Sequence, residues 1–197
     1  MTPRAQKLPG AIPASEYVAE RTFSNPDHIV YQLGLREGMQ VADLGAGSGA
    51  YALALARVVG NTGTVYAIDI QRDLLTRIKN LAQNTGLDNV EVVWGDIEKP
   101  EGTTLKSDLL DMVIIANTLF QIEYDQQAIA EAYRILKPGG TLAIIDWKDS
   151  FNGMGPPSAD VMHEEDASAL ARGAGFVYDR VIPAGGYHYG LLYKKST

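Results

Sequence analysis

The chain has 197 residues, a formal net charge of −7, 46% hydrophobic and 21% charged side chains, and no cysteine. Length and balance suit one globular domain with a full-sized core. The missing thiol excludes disulfides, thiolate catalysis and cysteine-held metals, and so acidic a surface argues against an extended nucleic-acid face. Met1 to Ala14 hold three prolines and one glycine and read as a loose arm, with a short helix expected over Ser15 to Arg21. No apolar signal core opens the chain and no run approaches the ~20 residues of a membrane span, so a cytoplasmic location is expected.

Asn25-Pro26-Asp27 has a cap residue, a proline for the first helical position and an acid for the positive dipole end, which predicts a helix running to Gly34. After the turn Leu35 to Gly38, a buried strand is expected from near Met39 to Leu44. The glycine turn Gly45 to Gly49 follows, then a helix marked by Tyr51, Leu55, Val58 and Val59 and stopped over Gly60 to Gly63. The pattern continues with a strand over Thr64 to Asp69 and a helix marked by Leu74, Ile78, Leu81 and Ala82. Strands follow over Asn89 to Trp94 and Leu109 to Ala116. A helix marked by Ile129, Ala132, Tyr133 and Leu136 is expected to end at Lys137-Pro138-Gly139-Gly140, ahead of a strand over Thr141 to Trp147. Asp149 to Ser158 is a Gly/Pro-rich loop, His163 to Ala174 a helix, and Val177 to Ile182 and Tyr187 to Lys194 two closing strands joined by Pro183 to Gly186.

Strands alternating with helices imply right-handed crossovers and an α/β, doubly wound parallel sheet covered on both faces. The closing hairpin is too tightly joined to be parallel, so one edge strand runs backwards. No repeat or linker divides the chain. A single domain over residues 1–197 is expected, with 1–24 as arm and short helix and 25–197 as the core.

In such sheets ligands sit outside the carboxyl ends of the strands. Here those ends carry Asp43-Leu44-Gly45, Asp69-Ile70, Gly95-Asp96-Ile97, Asn117-Thr118-Leu119 and Asp146-Trp147. Gly45, Gly47 and Ala50 fit the dinucleotide fingerprint G-x-G-x-x-[GA], which keeps an NAD(P)-dependent oxidoreductase open. Asp43-x-Gly45-x-Gly47-x-Gly49 fits a second pattern, D-x-G-x-G-x-G, in which Ala46 and Ser48 complete the turn. Asp69 follows Gly45 by 24 positions, the spacing of an acid on ribose hydroxyls. Asp96 suits an adenine amine, with Ile70 and Ile97 against the ring, and Asn117 offers an amide at the reactive end.

The set resembles class I S-adenosylmethionine-dependent methyltransferases, in the broad group of small ubiquinone/menaquinone-biosynthesis-like enzymes. Val41 to Gly49, Val65 to Asp69, Gly95-Asp96, Met112 to Leu119, Arg134-x-Leu136-Lys137-Pro138-Gly139-Gly140 and Ala174-Gly175-Phe176 carry the likeness. It implies a Rossmann-like seven-stranded sheet of order 3-2-1-4-5-7-6 with strand 7 antiparallel, S-adenosyl-L-methionine as cofactor, and methyl transfer by in-line displacement. A small-molecule acceptor is expected first and a protein or RNA acceptor second; a non-catalytic cofactor-binding protein is the further alternative.

Phe120, Gln121, Trp147 and Tyr187 are the expected acceptor-side residues, and His188 is the candidate general base. Two patterns compete with this reading. Tyr133-x-x-x-Lys137 spells the pair of short-chain dehydrogenases, but no serine stands between Asp108 and Gln127 to complete it. His163-Glu164-Glu165-Asp166 resembles a ligand cluster, yet acids at a helix start are what its dipole favours, and no metal is expected.

Overall fold

A computed structural model of the protein describes residues 24–151 and 153–197. The expected N-terminal arm and short helix fall on residues 1–23 and lie outside the described residues. Helix α1 spans Pro26–Gln32, and Asn25 Oδ1 accepts the His28 N–H at 3.2 Å, as the cap pattern predicted. Next come β1 (Gln40–Leu44), α2 (Ala50–Val59), β2 (Thr64–Asp69), α3 (Arg72–Asn84) and β3 (Val90–Trp94). Strand β4 (Leu110–Ala116) leads through a 3-10 turn, Leu119–Gln121, to α4 (Asp125–Ile135) and β5 (Leu136–Trp147). Helix α5 (Glu164–Gly173), β6 (Phe176–Val181) and β7 (His188–Lys195) complete the chain.

The seven strands form one sheet of order β3-β2-β1-β4-β5-β7-β6. β7 runs antiparallel to both β5 and β6, and the other pairings are parallel, so the expected topology is observed. One element starts earlier than expected. β5 begins at Leu136, before Lys137-Pro138-Gly139-Gly140, because Leu136 pairs with Leu110 ahead of a register shift.

Alternation sorts the buried side chains onto two faces. Val41, Met112, Ile114, Ala143 and Ile145 pack with α1, α2 and Ile78 of α3. Ala42, Val113, Ile115, Leu142 and Ile144 pack with Ala128 to Ile135 of α4 and with Ala167 and Ala171 of α5. At the amino edge of the sheet, Lys137 Nζ lies 2.6 Å from Asp111 Oδ1, while Asp111 Oδ2 accepts the Gln40 N–H. Three strands are thus tied together at the edge opposite the glycine turn.

Candidate active site

The turn between β1 and α2 is pinned to β2, since the N–H groups of Gly45 and Ala46 both donate to Ile68 O at 2.9 Å. Its three glycines serve three purposes. A Cβ on Gly45 would lie 2.6 Å from Thr118 Cγ2, so this glycine lets the loop after β4 close against the turn. A Cβ on Gly49, the N-cap of α2, would lie 2.7 Å from Ile78 Cγ1 of α3. A Cβ on Gly47 would meet nothing nearer than Gly45 O at 3.8 Å, an ordinary contact, and Gly47 borders an open space.

That space is a cleft of about 360 Å³ walled by Gly45, Gly47, Asp69, Ile70, Gln71, Leu74, Gly95, Asp96, Ile97, Glu98, Thr118, Gln121 and Ile122. A larger cleft of about 820 Å³ between α4 and α5 contains no strand-end acid and no residue of the glycine turn, so it is not where this chemistry sits. Asp69, 8% exposed, is fixed at the end of β2: Oδ2 accepts the Gly47 N–H at 2.9 Å and Oδ1 the Gln71 N–H at 2.8 Å. Each oxygen retains a lone pair for a ligand hydroxyl. Asp96 Oδ1 accepts the Glu98 N–H, and its Oδ2 lies 3.0 Å from Lys99 Nζ. Ile70 is 55% exposed beside these acids, an apolar surface that a ring could cover.

Asp43 lies just beneath, 2% exposed, with Oδ2 buried and without a partner. Burial, with a smaller contribution from Asp69, raises its carboxyl to about 7, although the Ala52 N–H opposes the rise. The described cleft lining carries Asp69, Asp96 and Glu98 and no lysine or arginine. A pyrophosphate would meet three acids there, one of them paired with Lys99 from outside the lining, whereas a ligand with a sulfonium and an amine meets complementary charge. The residues present therefore fit S-adenosylmethionine: Asp69 and Asp96 could accept from its hydroxyls and amine, and Ile70 could cover a ring.

On the other side, strand pairing sets Trp147 opposite His188, and their rings lie 4.2 Å apart. Phe151 and Tyr187 form a second ring pair at 4.4 Å. His188 is 2% exposed with Nδ1 buried and unpartnered; burial first, then Lys148, pushes it down to about 4, so the imidazole is neutral at pH 7. Asn117 adopts φ 53°, and its Oδ1 is buried without a partner.

A protein-family model described as a methyltransferase domain matches residues 35–172. The chain belongs to the S-adenosylmethionine-dependent methyltransferases. It is 31% identical to a SAM-dependent methyltransferase from Aquifex aeolicus of known structure, with a TM-score of 0.80 over 93% of this chain and 94% of that one. It is 32% identical over 121 residues to a ubiquinone/menaquinone biosynthesis C-methyltransferase of Hydrogenovibrio crunogenus, covering 61% of this chain and 46% of the relative. It is 36% identical over 117 residues to an arsenite methyltransferase of Aquipseudomonas alcaligenes, covering 57% and 34%. The chain thus spans about half the length or less of these curated relatives.

Within the methyltransferase, Gly45, Gly47, Asp69, Ile70, Asp96 and Ile97 of the expected cofactor set line one cleft. Asp43, Ala46 and Gly49 are buried behind it, Ser48 is exposed, and Asn117 and Phe120 are half-buried. Gln121, expected on the acceptor side, lines the same cleft as Asp69 and Asp96. Gln71, Leu74, Glu98, Thr118 and Ile122 also line the cleft, although the sequence pattern did not single them out as site residues. Gln71 and Leu74 directly follow the Asp69 signal, and Thr118 follows Asn117 at the end of β4, where it meets Gly45 of the glycine turn.

The competing patterns resolve as structure. Tyr133 packs edge-on to Phe176 at 4.9 Å while Lys137 pairs with Asp111, so the two do not form a catalytic pair. Glu164, Glu165 and Asp166 occupy the first turn of α5. Arg134 of the R-x-L-K-P-G-G run makes a two-pronged pair with buried Glu131, with Nε–Oε2 2.8 Å and Nη2–Oε1 2.7 Å.

Proposed function

We propose that this protein transfers the methyl group of S-adenosylmethionine to a small-molecule acceptor held beside Trp147 and His188. The observation that carries the reading is the cleft at the strand ends whose charged lining residues, among those described, are all acids, with Asp69 locked by the Gly47 and Gln71 N–H groups. When bound, the cofactor supplies a methyl already activated on a sulfonium, to be lost in line to an acceptor O, N, C or S atom. The protein's part is mainly positioning. Asp69 and Asp96 hold the nucleoside, Asp43 balances positive charge, and the glycine turn admits close approach. Trp147, Phe120 and Tyr187 offer flat surfaces to the acceptor. His188 is a hydrogen-bonding and orienting group in this scheme, because a base at about 4 lies far below the operating pH.

Two relatives frame the acceptor question. A quinone-like acceptor suits the ring pairs at the β5–β7 end. A thiophilic metalloid such as arsenite would find no thiolate among these 197 residues. A protein or RNA acceptor is less favoured by the net charge of −7.

Native mass spectrometry followed by a methyl-transfer screen tests the reading. A mass gain matching S-adenosylmethionine or its homocysteine product is expected, and a gain matching NAD would overturn it. Asp69→Ala should weaken cofactor binding by roughly 1.5–3 kcal/mol, the range for hydrogen bonds to a charged group. It should also lower the melting temperature, since two backbone N–H groups lose their acceptor. Calorimetry on a folded variant decides, and an unchanged dissociation constant removes Asp69 from the site.

A further inference from the structure

Asp146, the acid near the end of β5, is 1% exposed. Its face is the one toward α4 and α5, shared with Leu142 and Ile144, whereas Asp43 shares its face with Val41. It therefore sits under the sheet edge and takes no direct place in the cleft. Its Oδ2 accepts the Leu119 N–H at 3.1 Å, and its Oδ1 accepts the Trp147 N–H at 2.8 Å. The backbone N–H groups of Thr118 and Phe120 add smaller favourable contributions to its ionised form. One carboxylate thus ties the first N–H of the 3-10 turn Leu119–Gln121 to the end of β5. This stretch follows left-handed Asn117, and Thr118, Gln121 and Ile122 of it wall the cofactor cleft. The residue after Asp146 is Trp147, which stacks on His188.

We propose that Asp146 is a positioning residue: ionised, it ties the Thr118–Ile122 wall of the cofactor cleft to the strand end that carries Trp147, and protonated, it holds that wall less tightly. The cleft's role in this statement rests on the cofactor reading above. The titratable groups facing Asp146 are Tyr51 of α2 and Tyr189 of β7, both phenols that burial keeps neutral. Burial raises the Asp146 carboxyl and the four backbone N–H groups oppose that rise, leaving it at about 6. It is ionised at neutral pH. Below about 6 it gains a proton, and charge-assisted hydrogen bonds become weaker neutral ones.

NMR of the cofactor-free protein from about pH 5 to about pH 8 tests the device directly. The Leu119 and Trp147 amide resonances should move together with a midpoint near 6, and in Asp146→Asn neither should titrate. Asn keeps one acceptor oxygen but sets an NH2 group against an N–H, mimicking the protonated acid. Asp146→Asn should bind S-adenosylmethionine about tenfold more weakly than the parent at about pH 8, with the gap closing at about pH 5. Amides that stay still across the window, or a folded Asp146→Asn with parental affinity at about pH 8, would overturn the proposal. The amide titration needs neither variant nor cofactor, so it decides even if Asp146→Asn fails to fold. A parent protein whose amides titrate but which never binds S-adenosylmethionine would overturn the cofactor reading and leave the tether standing.

Discussion

Asp43→Asn should make the cofactor-free protein harder to unfold while costing it most of its affinity for S-adenosylmethionine. Asp43 is buried, and its carboxyl stands at about 7 against 3.8 for an exposed aspartate. The folded state therefore holds the proton more tightly than the unfolded chain does. Stability attributable to this group is lost as pH climbs from about 4 to about 7, and the loss is complete above that. A shift of this size corresponds to a penalty on the order of 2–4 kcal/mol at pH 8. Asparagine removes the penalty, so the variant should melt higher than the parent at about pH 8 and alike at about pH 4. The cost falls on binding. The unpartnered Oδ2 is the buried countercharge available to a sulfonium or an amine, and its loss should weaken the cofactor by about tenfold or more. The parent's affinity should also rise from about pH 6 to about pH 8, and the variant's dependence over that range should be shallower. Melting curves at both pH values and calorimetry on one preparation check the prediction. A variant that melts lower at both and binds normally would mean that Asp43 is a packing residue.

Gly47→Val should abolish cofactor binding with only a modest loss of stability. The φ of 51° at Gly47 is costly for a branched side chain, on the order of 1–2 kcal/mol, but no neighbouring atom stands in the way of its Cβ. The side chain would occupy the cleft instead. Gly45→Ala and Gly49→Ala are the contrasting cases, because each new methyl would strike a packed side chain, Thr118 or Ile78. Those two should lose more in melting temperature than Gly47→Val, and they should bind worse only as far as the turn is displaced. Normal binding by a folded Gly47→Val would place the cofactor elsewhere.

The sequence by itself determined the strands and helices, the antiparallel closing hairpin and the gathering of Asp43, Asp69, Asp96, Asn117 and Asp146 at one sheet edge. Apolar period, caps and turn glycines are local, and a doubly wound sheet puts the carboxyl ends of its parallel strands on one side. What the tertiary structure decided depends on partners distant in the chain. Leu110 extends β5 back to Leu136 by pairing with it, overriding the turn signal of Pro138-Gly139-Gly140. Thr118 assigns Gly45 to loop packing and leaves Gly47 as the open floor. Gln121 lines the cleft beside Asp69 and Asp96 on a 3-10 turn whose Leu119 N–H donates to Asp146 of β5, 27 residues on. Asp43, Asp69 and Asp146 are the same residue type at similar strand ends. What distinguishes Asp43 from Asp146 is desolvation by the elements packed over each, and Asp69 is set apart by the Gly47 and Gln71 N–H groups it accepts, none of which a local pattern encodes.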